Sequence, residues 1–144
     1  IATGIYKERG LDKCPNIQFV EYINDMPLKM AAADVVVCRA GANTVSELAL
    51  MKKAAIFIPS PNVTDNQQFK NAEVIAARGG ALVIEEKDIT REKLGGMIAS
   101  LLDSAERRRD MGDKIYAFAI PDANRRIYED IVHLIASKKS KKVK

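Results

Sequence analysis

Four short apolar runs interrupt a chain that otherwise reads as helix. Residues 17–20, 35–38, 54–58 and 81–84 are β-branched or bulky, and none alternates with polar residues as a strand with one wet face does. Such runs predict strands covered on both sides. Helix-length segments lie between and after them, at 26–33, 44–52, 66–77 and 91–102. Strands alternating with helices predict crossover connections and a parallel sheet. The expected fold is α/β, a Rossmann-like parallel sheet with helices on both faces.

Local punctuation sharpens the boundaries. Asp65 is the expected N-cap of the helix at 66–77, and Gly79-Gly80 should end it in a left-handed C-cap. Thr90 and Ser104 can cap the next two helices, the second running over about 105–119. Pro121-Asp122 breaks the chain before a last amphipathic helix, in which Ile127, Ile131, Leu134 and Ile135 share one face. Neither an internal repeat nor a second domain is visible. Residues 1–137 read as one domain and 138–144 as a basic, disordered tail.

Composition changes this picture in three ways. With 144 residues, 47% hydrophobic and 29% charged, the chain can bury a core. Its net charge of +4 is a property of the tail: five of the 23 basic residues lie in 138–144, leaving 18 against 19 acidic ones. Arg107-Arg108-Arg109 and Arg125-Arg126 are interleaved with Glu106, Asp110, Asp113 and Glu129, as on a solvated helix face. No nucleic-acid partner is expected. No apolar run approaches the roughly 20 residues of a membrane-spanning helix. Cys14, Cys38 and His133 form neither a zinc-type spacing nor a disulfide framework, so no metal and no cofactor are expected, and a reducing cytoplasm fits. The start at Ile1, inside an apolar run ending at Gly4, reads as a cut.

In an open parallel sheet, ligands collect beyond the carboxyl ends of the strands. Three segments there carry candidate chemistry. After 35–38 comes Arg39-Ala40-Gly41-Ala42-Asn43-Thr44-Val45-Ser46-Glu47, in which small residues and a following helix N-terminus offer an anion seat. Glu47 has two readings: the acid of a Thr44-x-x-Glu47 capping box, or an acceptor for a vicinal diol such as a ribose. After 54–58, Pro59-Ser60-Pro61 leads into a crowd of amides, of which Gln68 and Asn71 share a helix face. Turn and capping chemistry accounts for Asp65 and Asn66 but not for Gln67, Gln68 and Asn71 together. Groups that both donate and accept suit sugar hydroxyls. The third segment, Glu21-Tyr22-Ile23-Asn24, follows the run at 17–20 and could flank a planar base.

Taken jointly, residues 37–47, 59–71 and Ile120-Pro121-Asp122-Ala123 resemble the carboxyl-terminal domain of the MurG family of N-acetylglucosaminyltransferases. The resemblance extends to about Ile135. It implies the C-terminal half of a GT-B glycosyltransferase, and an inverting transfer of N-acetylglucosamine from UDP-N-acetylglucosamine to lipid I, forming lipid II in peptidoglycan synthesis. It implies that Ile23 reads the uracil through its backbone and that Gly41, Ala42, Asn43, Thr44, Val45 and Ser46 form the nucleotide loop, with residues 42–44 against the diphosphate. Glu47 would hold the ribose; Gln67, Gln68 and Asn71 would face the sugar. It further implies a cytoplasmic protein, peripheral on the inner membrane surface, whose lipid I contacts come from an N-terminal domain not matched here. Residues 1–4 would correspond to the family's second strand, so that the first strand and its glycine-rich turn are missing. In the family's strand order that loss would expose two strand edges, to be met by a partner chain, a rearranged sheet or a domain boundary. No residue of this chain is expected to be catalytic, and the piece alone should not turn over. Two rivals stand beside this reading: a non-catalytic donor-binding subunit of a two-chain glycosyltransferase, and a membrane or nucleic-acid binding module driven by the basic tail.

Overall fold

Residue 10 and residues 13–141 are described by a computed structural model. The strand end expected at residues 1–4 and the last three residues of the tail lie outside them. The chain divides into two compact units, Ile1–Ala32 and Ala33–Lys144. The first holds a turn in which the Lys13 N–H meets the Gly10 carbonyl, an irregular stretch, and helix α1 (Met26–Ala32), on which Met30 is buried. The run at 17–20 is not a strand, correcting the expectation. Its backbone is irregular, and Ile17 and Val20 are exposed. Apolarity alone does not make a strand where the side chains gain no burial from it.

The second unit is built on three parallel strands in the order β1 (Val35–Cys38), β2 (Ala54–Phe57), β3 (Leu82–Val83). Val35 pairs with Ala54 and Cys38 with Phe57, while Ile56 and Phe57 pair with Leu82 and Val83. Every residue of β2 is buried, as an uninterrupted apolar run requires of a central strand. Among the described residues β1 pairs on one side only.

Helix α2 (Ala42–Leu50) joins β1 to β2, and α3 (Gln67–Ala76), entered through a 3₁₀ turn at Thr64–Asn66, joins β2 to β3. Then come a 3₁₀ turn at Glu86–Asp88, α4 (Arg91–Leu102), α5 (Ala105–Tyr116) and α6 (Ala123–Lys141). Thr90 and Ser104 cap α4 and α5 as expected, their hydroxyls accepting from the Lys93 and Arg107 N–H groups. Gly79, at φ +73°, ends α3 with its own N–H on the Ala76 carbonyl and the Gly80 N–H on that of Ile75, a Schellman closure. The core joins Ala54 and Ile56 of β2 to Leu101 of α4 and Met111 of α5. Leu48, Ala49, Ala72 and Ile75 are the buried residues of α2 and α3, which pack on each other.

α6 departs from the expected packing. Ile127, Ile131, Leu134 and Ile135 are all at least half exposed. An apolar stripe predicts a helix, not what will cover it. The helix is followed to Lys141, four residues into the segment read as a disordered tail.

Candidate functional site

Because β1 and β2 are parallel and in register, they deliver their following loops side by side. The Ile58 N–H continues the ladder onto the Cys38 carbonyl at 2.8 Å, so Arg39-Ala40-Gly41 and Pro59-Ser60-Pro61 leave the sheet as neighbours. Ala40 is fully buried and Gly41 is the N-cap of α2, with extended φ/ψ of −68° and 146°. The helix begins two residues before the sequence suggested. Thr44 therefore lies inside it and cannot cap, and the Thr44-x-x-Glu47 capping box does not form. No side chain caps α2. The first N–H groups, those of Ala42, Asn43 and Thr44, carry no partner among the described residues. They face outward at the positive end of the helix dipole. Glu47 is thereby released from capping; it and Asn43 are exposed one turn apart on a single flank.

α3 is also uncapped, in contrast to α4 and α5. Its N-cap is Asn66, not Asp65, and both residues sit in left-handed backbone, at φ 53° and 54°. Asn and Asp tolerate that region best, yet two in succession are uncommon and store strain at the mouth of this helix. The amides then reach back to the first loop. Asn71 Nδ2 donates to the Ala40 carbonyl at 3.2 Å, and Gln67 Nε2 donates to Asn71 Oδ1 at 3.2 Å. Gln68 Oε1 accepts the Ser60 N–H at 2.9 Å, which pins the proline loop and leaves the Gln68 NH₂ unengaged. A crevice of about 300 Å³ opens between the two helices, lined by Ala42, Val45 and Ser46 of α2 and by Lys70, Asn71 and Val74 of α3.

The structure thus joins the Gly41 turn to the amides of α3, although the side chains divide between flanks. Val45 and Ser46 line the crevice, with the Ser46 hydroxyl donating to the Ala42 carbonyl at 2.9 Å, whereas Asn43 and Glu47 lie outside its lining. Ile23 is half-buried in the irregular backbone of the first unit. His133 is exposed on α6. Asp122, just before α6, accepts from Arg126 Nε at 3.0 Å, and that guanidinium holds its carboxyl below the usual range. A larger depression of about 630 Å³, bordered by Phe69, Glu85, Asp88 and Lys93, contains none of the residues singled out from the sequence. The smaller crevice is the one whose wall includes Ala42, the first residue of the uncapped α2.

Three residues at the ends of these strands and loops carried no individual role in the sequence reading. Arg39 Nη1 donates to the carbonyls of Ile58 and Pro59 and pairs with Glu86 at 2.7 Å. Glu86 stands 47 positions away, beyond any local signal. Cys38, partly buried at the end of β1, has its thiol pushed up from its ordinary value near 9 to about 11 by loss of solvent.

Comparison with known proteins adds to this geometry. The model of the glycosyltransferase family 28 C-terminal domain matches residues 3–127. The chain belongs to this family. The glycosyltransferase family 28 domain described here is 40% identical over 125 residues to the UDP-N-acetylglucosamine--N-acetylmuramyl-(pentapeptide) pyrophosphoryl-undecaprenol N-acetylglucosamine transferase of Flavobacterium psychrophilum, covering 87% of the chain and 34% of that protein. It is 43% identical over 135 residues to the protein of the same name from Acetivibrio thermocellus, covering 94% and 37%. The crystal structure of Acinetobacter baumannii MurG superposes with a TM-score of 0.77 at 29% identity, covering 89% of this chain and 38% of that one. The fold is accordingly the carboxyl-terminal half of a GT-B architecture, as the resemblance implied. The domain spans about a third of the length of the curated relatives it matches.

Proposed function

We propose that this family 28 domain binds UDP-N-acetylglucosamine and is the donor half of the transferase that moves N-acetylglucosamine onto lipid I in peptidoglycan synthesis. The observation that carries the reading is the pairing of an uncapped α2 N-terminus with the α3 amides, tied together by Asn71 on Ala40, with Ala42 and Asn71 on the wall of one crevice. A diphosphate placed before Ala42, Asn43 and Thr44 takes the free N–H groups and the helix dipole. Glu47, free of capping, is the acceptor for the ribose hydroxyls. The unengaged NH₂ of Gln68, with Gln67 and Asn71, meets the sugar.

In the transfer itself, an acceptor hydroxyl attacks the anomeric carbon as the bond to the β-phosphate breaks. Negative charge grows on that phosphate. Fixed N–H dipoles aimed at it lower the barrier without reorganising. The base that takes the acceptor's proton, the grip on lipid I and the seat on the cytoplasmic face of the membrane belong, on this reading, to parts of the relatives that the domain does not match. The domain alone then holds donor without completing transfer.

Calorimetric titration with UDP and UDP-N-acetylglucosamine tests the assignment. Glu47→Ala should weaken both ligands alike. Gln68→Ala should weaken the sugar nucleotide more than UDP, with a smaller shared loss because Gln68 also holds Ser60. Equal losses on both ligands for both variants would remove the residue roles. A coupled assay in which the 144-residue chain releases UDP at the rate of a full-length relative would refute the division of labour.

A further inference from the structure

Arg39 occupies a point where all three strand-to-helix loops of the second unit meet. It follows β1 directly. Its Nη1 donates to the Ile58 and Pro59 carbonyls, at 3.2 and 3.3 Å, just after β2, and pairs at 2.7 Å with Oε2 of Glu86, three residues beyond β3. Both side chains are about half exposed, 49% and 48%, and an isolated ion pair of that kind contributes little. Two features separate this one from an ordinary surface pair. The guanidinium also carries two backbone carbonyls, so its position governs the path of the β2 loop. It lies two residues before Gly41, so the same position governs where α2 starts. The Asn71–Ala40 and Ser60–Gln68 bonds tie the same loops on the far side of Ala40.

We infer that Arg39 is a positioning residue for the donor, and that Glu86 acts through it. The inference rests on the donor reading above. Clasping the loops sets the separation between the free N–H groups of α2 and the amides of α3, which a sugar nucleotide must span with its diphosphate and its sugar at once. Holding that separation before the ligand arrives removes an ordering cost on binding. The requirement grows with how much of the ligand bridges the two segments: greatest for UDP-N-acetylglucosamine, smaller for UDP, absent for uridine.

The test is titration of the 144-residue chain with these three ligands, wild type against Arg39→Gln, Arg39→Lys, Glu86→Gln and the Arg39→Gln/Glu86→Gln double variant, with a thermal melt of each. Losing charge-assisted bonds at a pre-set site predicts about a tenfold weaker Kd for UDP-N-acetylglucosamine in Arg39→Gln, about threefold for UDP, and no change for uridine. Arg39→Lys should resemble Arg39→Gln, because the lysine ammonium ends one bond short of the point where Nη1 meets its three acceptors. Glu86→Gln should show about a threefold loss on the sugar nucleotide, and the double variant should be no worse than Arg39→Gln. A uniform loss on all three ligands together with a lowered melt would make Arg39 merely structural, and wild-type binding by Arg39→Lys would make it a simple charge; either overturns the inference. Unchanged binding in Glu86→Gln, which removes only a half-exposed carboxylate, overturns it even if the arginine variants fail to fold. Wild-type binding with Arg39→Gln unaffected defeats this inference alone, whereas no wild-type binding of any of the three ligands defeats the donor reading and this inference with it.

Discussion

Gly112 and Gly95 both sit in helix interiors, yet replacing each with alanine should act in opposite directions. On α5, a Cβ built at Gly112 falls inside contact distance of the Lys52 carbonyl oxygen and 2.9 Å from its carbon. That carbonyl cannot step aside. Lys52 is in left-handed backbone at φ 52°, its N–H is on the Ala49 carbonyl, and the Lys53 N–H is on that of Leu48, after which β2 begins at Ala54. Relief requires α5 to lift, which loosens the buried Met111 and Ile115 beside the glycine. Alanine gains about 1 kcal/mol in helix propensity, while overpacking against a fixed backbone costs about 1–3 kcal/mol or more. With a backbone carbonyl that cannot move, the cost lies at the upper end of that range and the clash wins by about 2 kcal/mol, a melt lowered by about 6 °C for a chain of this size. Gly95 and Gly96 on α4 have nothing within 4 Å of a built Cβ. There the propensity gain stands alone, raising the melt by about 2–3 °C each. Thermal denaturation followed by circular dichroism measures all three. A Gly112→Ala melt equal to or above wild type, or three shifts of one sign, would refute the claim that α5 packs on the Lys52 carbonyl through a missing side chain.

Other expectations follow from the same reasoning. Gly41 has ordinary extended backbone and open space at its Cβ position, so Gly41→Ala should leave the melt unchanged while weakening UDP several-fold, because the new methyl sits before the α2 N-terminus; a lowered melt with intact binding would contradict this. Thr90→Ala and Ser104→Ala remove the caps of α4 and α5 and should each cost about 1 kcal/mol by denaturant titration. With its thiol pushed up to about 11, Cys38 should alkylate at pH 8 much more slowly than glutathione. Between its ordinary value near 9 and about 11 the unfolded chain releases the Cys38 proton while the folded chain keeps it, so stability falls as pH rises through that window. Cys38→Ala should flatten that part of the alkaline loss in a pH series of melts.

The sequence by itself determined what depends on neighbours within about four positions. The fully apolar β2 run, the Thr90 and Ser104 caps and the left-handed Gly79 were all legible, because hydrogen bonds and steric limits inside one turn decide them. So were the loops that carry the candidate site, since parallel strands place their following turns on one edge wherever the exact helix start falls. Tertiary structure decided the rest. The run at 17–20 stayed irregular, α2 started at Ala42 and freed Glu47, Asn66 replaced Asp65 ahead of α3, and the α6 stripe is half exposed among the described residues. Asn71 on Ala40 and Arg39 on Glu86 close across 31 and 47 positions, distances at which pattern carries no signal. Those contacts exist because the register of β1 on β2 on β3 sets the loops beside one another, and only the assembled sheet contains that register.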